Sequence, residues 1–414
     1  MGAEERKAEW RGWFVLALLL VVAILNYLDR TMISTMRESI TSSIRMTDAQ
    51  FGLLTTVFSW VYGAFSPIAG FFADRFKKTH LIIGSLFVWS SVTLWTGYVT
   101  TYNELLATRA LMGISEAFFY PTALALIVES YRKPTFAIGI LFCGDMIGQS
   151  LGFLGGMIAE HHTWNAAFRG FGMVGIAYAV FLIFTLKHSV SVPYEEKEED
   201  KTGKSKISIG TTLKALFGKW SFFYLLLIYP LPSIVSWMIM GWLPTYYQET
   251  FHLTQTHSGA YATAFLYPAS IIGLLVGGYL TDKWHKTYPY ARIVVPIIGF
   301  AVAAPCVFMI GYIQILWQVV ALFMMYGFAR MFIDTNLMPI LSMVIDRRYR
   351  ATGYGIINML TVFIGGLSMY VAGAFRDAEV SLSTVFQYAS LGLMICVILL
   401  LLVKRDVKRN KTGK

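Results

Sequence analysis

The sequence predicts an all-α polytopic membrane protein whose twelve transmembrane helices form two pseudo-symmetric six-helix bundles. Three observations predict it. Of 414 residues, 56% are hydrophobic and only 14% charged, where a soluble chain carries roughly a quarter charged residues. Apolar runs of about 20 residues, the length a helix needs to cross a hydrocarbon core, recur along nearly the whole chain. The pattern stops once, between residues 188 and 219, with six runs before it and six after. A transmembrane barrel would instead show alternating segments of about 10 residues, and these are absent.

The first run, 13–36, is too long for the apolar part of a signal peptide and lacks a small-residue cleavage site, so it reads as a retained span. It carries Asp29 and Arg30 towards its far end. The second and third spans, 51–73 and 79–100, flank the loop Gly70-Phe-Phe-Ala-Asp74-Arg75. The fourth, 103–128, is interrupted by Arg109 and Glu116. The fifth, 136–160, carries Asp145, Gln149 and glycines at 144, 148, 152 and 156, a spacing that reads as a close-packing stripe against another helix. The sixth, 166–187, completes an N-terminal bundle over residues 1–187. Residues 188–219 form a cytoplasmic linker, marked by the charge run Glu195–Lys201 and then Gly203, Ser205 and Ser208. The C-terminal bundle and tail, 220–414, hold spans at 220–248, 258–281, 291–312, 315–340, 350–374 and 381–403.

Basic residues set the orientation. Of 34 Lys and Arg, 27 lie in the two termini and the alternate loops around Arg75, Arg132, Lys204, Lys283 and Arg347. Such a bias places both termini in the cytoplasm. The net charge of +10 is then a topology signal and an attraction to anionic lipid rather than a footprint for nucleic acid. Cys143, Cys306 and Cys396 are scattered within spans and read as small packing residues. His161 and His162, side by side in an outer loop, make no metal site. No cofactor is expected, and the chain has no nucleophile elbow, phosphate loop or appended domain that would point to an enzyme or receptor.

The halves share local sequence. Gly70-x-x-x-Asp74-Arg75 recurs as Gly278-x-x-x-Asp282-Lys283, and Met112-Gly113-Ile-Ser-Glu116-Ala-Phe aligns with Tyr326-Gly327-Phe-Ala-Arg330-Met-Phe. Internal duplication implies two similar bundles with a solute site near mid-membrane. The repeated loop resembles the signature loop of the major facilitator superfamily, with Lys77 standing where the family commonly has a second glycine. The resemblance covers essentially the whole chain. Asn26-Tyr27-Leu28-Asp29-Arg30, Arg109 and Glu116 narrow it to the anion:cation symporter branch of sialic-acid, hexuronate and galactonate carriers. Trp242-Leu-Pro244-Thr-Tyr246 and Pro268 are similar to that branch too. Gly113-Ile-Ser-Glu116-Ala117 is equally similar to spinster-type lipid transporters, the competing branch. The resemblance implies that Asp29 and Glu116 carry protons and that Arg30 helps recognise an anionic substrate. The Gly70–Asp74–Arg75 and Gly278–Asp282–Lys283 loops would then gate the cytoplasmic face, and Gly70 itself reads as a residue that lets two helices approach closely.

Helix geometry says which charges could meet. At about 1.5 Å per residue, Asp29 lies about 24 Å from the cytoplasmic start of its span. Arg109 lies about 9 Å below the outer end of the fourth span and Glu116 about 10 Å deeper. In a core about 30 Å thick, Arg109 is level with Asp29 and Arg30, while Glu116 sits nearer the centre. The expectation is an Asp29–Arg109 pair towards the outside, Glu116 deeper with no basic neighbour within a turn in sequence, and Arg30 offered to a carboxylate. The alternative is a static buried ion pair that only orients helices. Asp145 is either a further ionisable cavity group or paired to Arg109 or Arg330, and Gln149 on its face could bond a hydroxyl-rich solute. Arg330, with Asp334 one turn on, either holds the substrate anion or neutralises Asp334. Tyr120 and Asn358 are further candidates to line the site. Together these residues suggest a proton-coupled symporter of an acidic sugar, with a spinster-type lysolipid transporter as the alternative. Its partners would be an anionic solute, protons and membrane lipid. It would work as a monomer in a bacterial cytoplasmic membrane, in which the short loops place it.

Overall fold

A computed structural model describes residues 3–73, 75–130, 134–189, 214, 216–346 and 350–412. The described residues form helices and no strands, and twelve helical stretches among them are long and apolar enough to cross a membrane. Two compact units result. Unit 1 comprises Met1–Lys197 with Tyr247–Ala264, and unit 2 comprises Glu198–Tyr246 with Phe265–Lys414.

Unit 1 contains α1 (Ala3–Thr35), α2 (Arg37–Ser43), α3 (Asp48–Ala73), α4 (Lys78–Thr96), α5 (Tyr102–Glu116), α6 (Phe119–Ser130), α7 (Pro134–Ser150), α8 (Phe153–His161) and α9 (Trp164–Ser189). The fourth span is therefore not one helix but two, α5 and α6, broken directly after Glu116. Pro121 is the cause. It has no N–H to offer the carbonyl four residues back, that of Ala117, and its ring crowds that carbonyl.

The core of unit 1 joins α1, α4, α6, α7 and α9 through residues such as Leu19, Trp89, Phe119, Leu141 and Leu182. The glycine stripe of the fifth span faces α1: a β-carbon at Gly148 would collide with the Ile24 carbonyl, and one at Gly144 would lie 2.8 Å from Leu20. Gly113 does the same between α5 and α3, where a β-carbon would lie 2.6 Å from the Phe58 carbonyl. Close approach was expected of Gly70 as well. The structure corrects that reading, because a β-carbon at Gly70 would meet nothing within 4 Å.

Unit 2 contains α10 (Trp220–Ile228), most of α11 (Pro230–Phe251), α13 (Leu266–His285), α14 (Ala291–Met309), α15 (Leu316–Asp334), α16 (Leu337–Val344), α17 (Arg350–Asp377) and α18 (Leu382–Thr412). The tenth span breaks between α15 and α16, directly after Asp334, and Pro339 stands there as Pro121 does in unit 1. An acid followed five residues later by proline thus marks the break in both repeats. The end of α11 and α12 (Gln255–Thr263) belong to unit 1. There Gln255 is buried, accepts from the Ser39 hydroxyl at 2.9 Å and donates to the Gly156 carbonyl at 3.1 Å.

Candidate functional site

Asn26 and Arg30 lie one turn apart on α1, so their side chains emerge on one face. Both reach the carboxylate at the end of α5: Asn26 Nδ2 donates to Glu116 Oε2 at 2.9 Å and Arg30 Nε donates to the same oxygen at 2.7 Å. Glu116 is fully buried and the Arg30 side chain is 11% exposed. The Arg30 guanidinium sits 4.9 Å from the Tyr27 ring, 4.9 Å from Phe58 and 4.6 Å from Tyr62, an aromatic cage that stabilises a desolvated cation. The cluster is only half satisfied. Glu116 Oε1, Asn26 Oδ1 and Arg30 Nη2 are buried without a hydrogen-bond partner among the described residues.

The sequence reading paired the charges differently, and here the geometry departs from it. Glu116, with no basic neighbour within a turn in sequence, is paired across helices with Arg30. Among the described residues no ion pair joins Asp29 to Arg109. Asp29 instead accepts from the Thr93 hydroxyl of α4 at 3.3 Å, while the Arg109 guanidinium lies 5.2 Å from the Phe168 ring. Both are buried, and Arg109 Nε and Nη2 have no hydrogen-bond partner among the described residues. The physical reason is rotational. Neighbouring residues on a helix point about 100° apart, so Asp29 faces α4 when Arg30 faces Glu116. Similar depth does not make two groups neighbours.

Of the two readings of Asp145, a further ionisable cavity group or an acid paired to an arginine, the second is not met at Arg109, with which the described residues show no ion pair. The Asp145 Oδ1 accepts a hydrogen bond from the Tyr120 hydroxyl. Tyr120 meets Tyr27 edge to face at 6.2 Å, which ties this pair to the cage around Arg30. Gln149 Nε2 lies 3.4 Å from the Asp145 carbonyl of its own helix. In unit 2, Arg330 Nη2 stands 3.3 Å from Asp334 Oδ2 on α15, and both border a cavity that Asn358 of α17 also lines.

Of the loop residues, Asp74 lies outside the described residues. Arg75 is exposed, its guanidinium 3.4 Å from the Phe71 ring centre. In the second copy, Asp282 and Lys283 are exposed and still helical, and a β-carbon at Gly278 would touch only Thr335, at 3.9 Å. Asn26, Phe58, Thr93 and Phe168 contribute contacts that sequence reasoning did not assign. Asn26 could have been found from its i, i+4 spacing to Arg30, whereas the others give no signal beyond membership of a span. Among the described residues no cluster of His, Cys, Asp or Glu could hold a metal ion.

A family model for the Major Facilitator Superfamily matches residues 19–370. The chain is 26% identical over 306 residues to Protein spinster of Drosophila melanogaster, covering 71% of this chain and 49% of that one. It is 25% identical over 410 residues to a sphingosine-1-phosphate transporter of Danio rerio, covering 92% and 80%. It is 26% identical over 278 residues to a probable L-galactonate transporter of Escherichia coli strain K12, covering 64% and 60%. The match thus spans about half the length of the Drosophila protein. Among solved structures, a bacterial homologue of the human lysosomal transporter Spinster, in an inward-facing and occupied conformation, aligns with a TM-score of 0.78. Sequence identity to it is 19%, and the match covers 95% of this chain and 96% of that one, a likeness of fold.

Proposed function

The chain belongs to the Major Facilitator Superfamily, a family of multi-pass membrane transporters and not of enzymes, and from that premise we propose that it is a proton-coupled symporter of a small organic anion. A sugar acid fits best, carried by alternating access. The observation that carries this reading is the half-satisfied cluster around Glu116. A buried polar atom without a partner costs about 1–3 kcal/mol, yet Glu116 Oε1, Asn26 Oδ1 and Arg30 Nη2 form three such atoms in one cluster. Two transient partners would complete it: a proton on Glu116 and an oxyanion on Arg30.

Their coupling follows from electrostatics. An anion that draws the guanidinium away leaves Glu116 as an unpaired buried charge, which costs about 3–5 kcal/mol. Protonation of Glu116 removes that charge, so solute and proton are taken up together. Asp29 is the second proton carrier, and the buried Arg109 supplies both acids with positive potential. Tyr120 and Asp145 orient the cage, and Gln149 offers a further polar contact. Asp74, Arg75, Asp282 and Lys283 lock the cytoplasmic face, with Gly70 and Gly278 at the start of each locking segment. The positive-inside distribution supports cytoplasmic termini, and the short loops support a bacterial inner membrane.

The probable L-galactonate transporter among the relatives supports an acidic sugar. A second reading, an amphiphile transporter of spinster type, is favoured by the spinster and sphingosine-1-phosphate relatives. Both readings place an anionic head on Arg30. Purified protein in proteoliposomes, offered galactonate, galacturonate, sialic acid and a lysophospholipid with and without an inward proton gradient, separates them. The expected result is accumulation of at least one sugar acid above equilibrium, only with the gradient. Uptake of the lysolipid alone would establish the second reading, and failure with every acid would overturn the first.

A further inference from the structure

A groove of about 310 Å³ runs between α4 and α9 within unit 1, apart from the Glu116 cluster. Ile83, Gly84 and Phe87 of α4 and Ala179 and Ile183 of α9 line it, with His80 as the polar side chain at one end. Small residues open it. A β-carbon at Gly84 would meet nothing within 4 Å, and Ala179 adds only a methyl group. Further along the same two helices the gap closes. There a β-carbon at Gly172 would lie 2.5 Å from the Leu94 nitrogen, and one at Gly175 would collide with the Ser90 hydroxyl. Phe87 and Ile183, on the two walls, are 48% and 46% exposed, and in a multi-pass protein such surface lies against lipid chains.

The polar end is basic. His80, Gly84 and Phe87 are spaced four and three residues apart, on one face of α4, and Lys77 precedes His80 by three at the helix start. His80 lies about 10 Å from Phe87 along the axis, so the donors sit at one end of an apolar slot. Lys77 and His80 are exposed, and neither side chain makes a hydrogen bond or ion pair among the described residues. Both can donate to an oxyanion. Arg75 and Lys78 add positive charge to this end, against the single acid Asp74. A neutral hydrocarbon would leave these donors idle, and a small free anion would leave the slot empty. A second copy of this chain, related by a two-fold axis along the membrane normal, would bring the same basic end to the same depth, like charge beside like. A phosphodiester that carries a hydrocarbon chain suits both ends. We propose that the groove between α4 and α9 binds an anionic phospholipid, with one acyl chain in the slot and the phosphate on Lys77 and His80. Inside a membrane one chain only replaces another, so packing and headgroup charge decide which lipid is held.

The test is native mass spectrometry of the purified full-length protein with dioleoyl-phosphatidylglycerol and dioleoyl-phosphatidylcholine, which differ only in headgroup. The tightest-bound phosphatidylglycerol is expected to bind at least about fivefold more tightly than phosphatidylcholine, the worth of one basic residue beside an anionic headgroup. Lys77→Gln should remove most of that preference. Gly84→Phe should weaken phosphatidylglycerol about fivefold, because a ring in the slot displaces the chain from several close contacts. The open space at Gly84 leaves room for the ring, and an unchanged melting temperature certifies the fold. Lys77→Gln, at an exposed position, tests the headgroup contact without touching the packing. Equal binding of the two lipids would overturn the proposal, as would phosphatidylglycerol binding that one variant or both leave unaltered. A wild-type dimer that Gly84→Phe dissolves would also overturn it, by making the groove an interface between copies.

Discussion

Arg30 combines one charge-assisted hydrogen bond with three aromatic faces, and a lysine cannot reproduce that setting. The guanidinium is flat, stacks on rings and still presents nitrogens in a fixed fork, whereas an ammonium is a compact and strongly hydrated point charge. Arg30→Lys is therefore expected to raise the KM for an anionic substrate by about tenfold or more at constant pH, with protein abundance unchanged. An unaltered KM in initial-rate uptake would remove Arg30 from the recognition of the solute. Asp29, Arg30, Arg109 and Glu116 stood out in the sequence because a charge at membrane depth is expensive enough to need a reason. Their partners did not stand out. Spacing along one helix gives depth, but which neighbour a side chain faces depends on the rotation of helices far apart in sequence. That is why Asp29 meets Thr93 and Glu116 meets Arg30.

At the scale of the elements, glycine and proline decide where helices touch and where they break. Gly148 lets α7 lie against the α1 backbone at Ile24, while Gly70 has open space around it. Gly148→Ala should lower the thermal stability of the purified protein, since overpacking typically costs about 1–3 kcal/mol. Gly70→Ala should leave stability unchanged or raise it, because alanine is favoured over glycine within a helix by about 1 kcal/mol. Equal melting temperatures for the two variants would contradict the packing described. The stripe containing Gly148 was legible from its four-residue period. The closeness expected at Gly70 was not real, because a glycine at a helix end can serve a loop as readily as a contact. The breaks after Glu116 and Asp334 were written in Pro121 and Pro339, but a run long enough to span conceals them. Each break leaves an acid at the negative end of a helix dipole, where a cation beside it is stabilising. Arg30 supplies that cation in unit 1 and Arg330 in unit 2.

For the whole molecule, the twelve spans and the duplicated local motifs were readable from composition and repeats. The assignment of Tyr247–Ala264 to unit 1 was not, because it rests on contacts such as Gln255 with Ser39 and Gly156, more than ninety residues away in sequence. In the proposed symport Glu116 and Asp29 both carry protons, and Glu116 is the carboxylate whose proton is linked to the anion through Arg30. Glu116→Gln keeps the shape and hydrogen-bonding capacity of the side chain but carries no titratable proton. Proteoliposomes loaded with substrate should still exchange it across the membrane with this variant, because exchange needs no net proton movement. The most direct measurement is accumulation of radiolabelled sugar acid driven by an inward proton gradient, wild type against Glu116→Gln. Coupling through Glu116 predicts concentration above equilibrium for the wild type and equilibration only for the variant, with exchange retained. Accumulation by the variant equal to that of the wild type would contradict it.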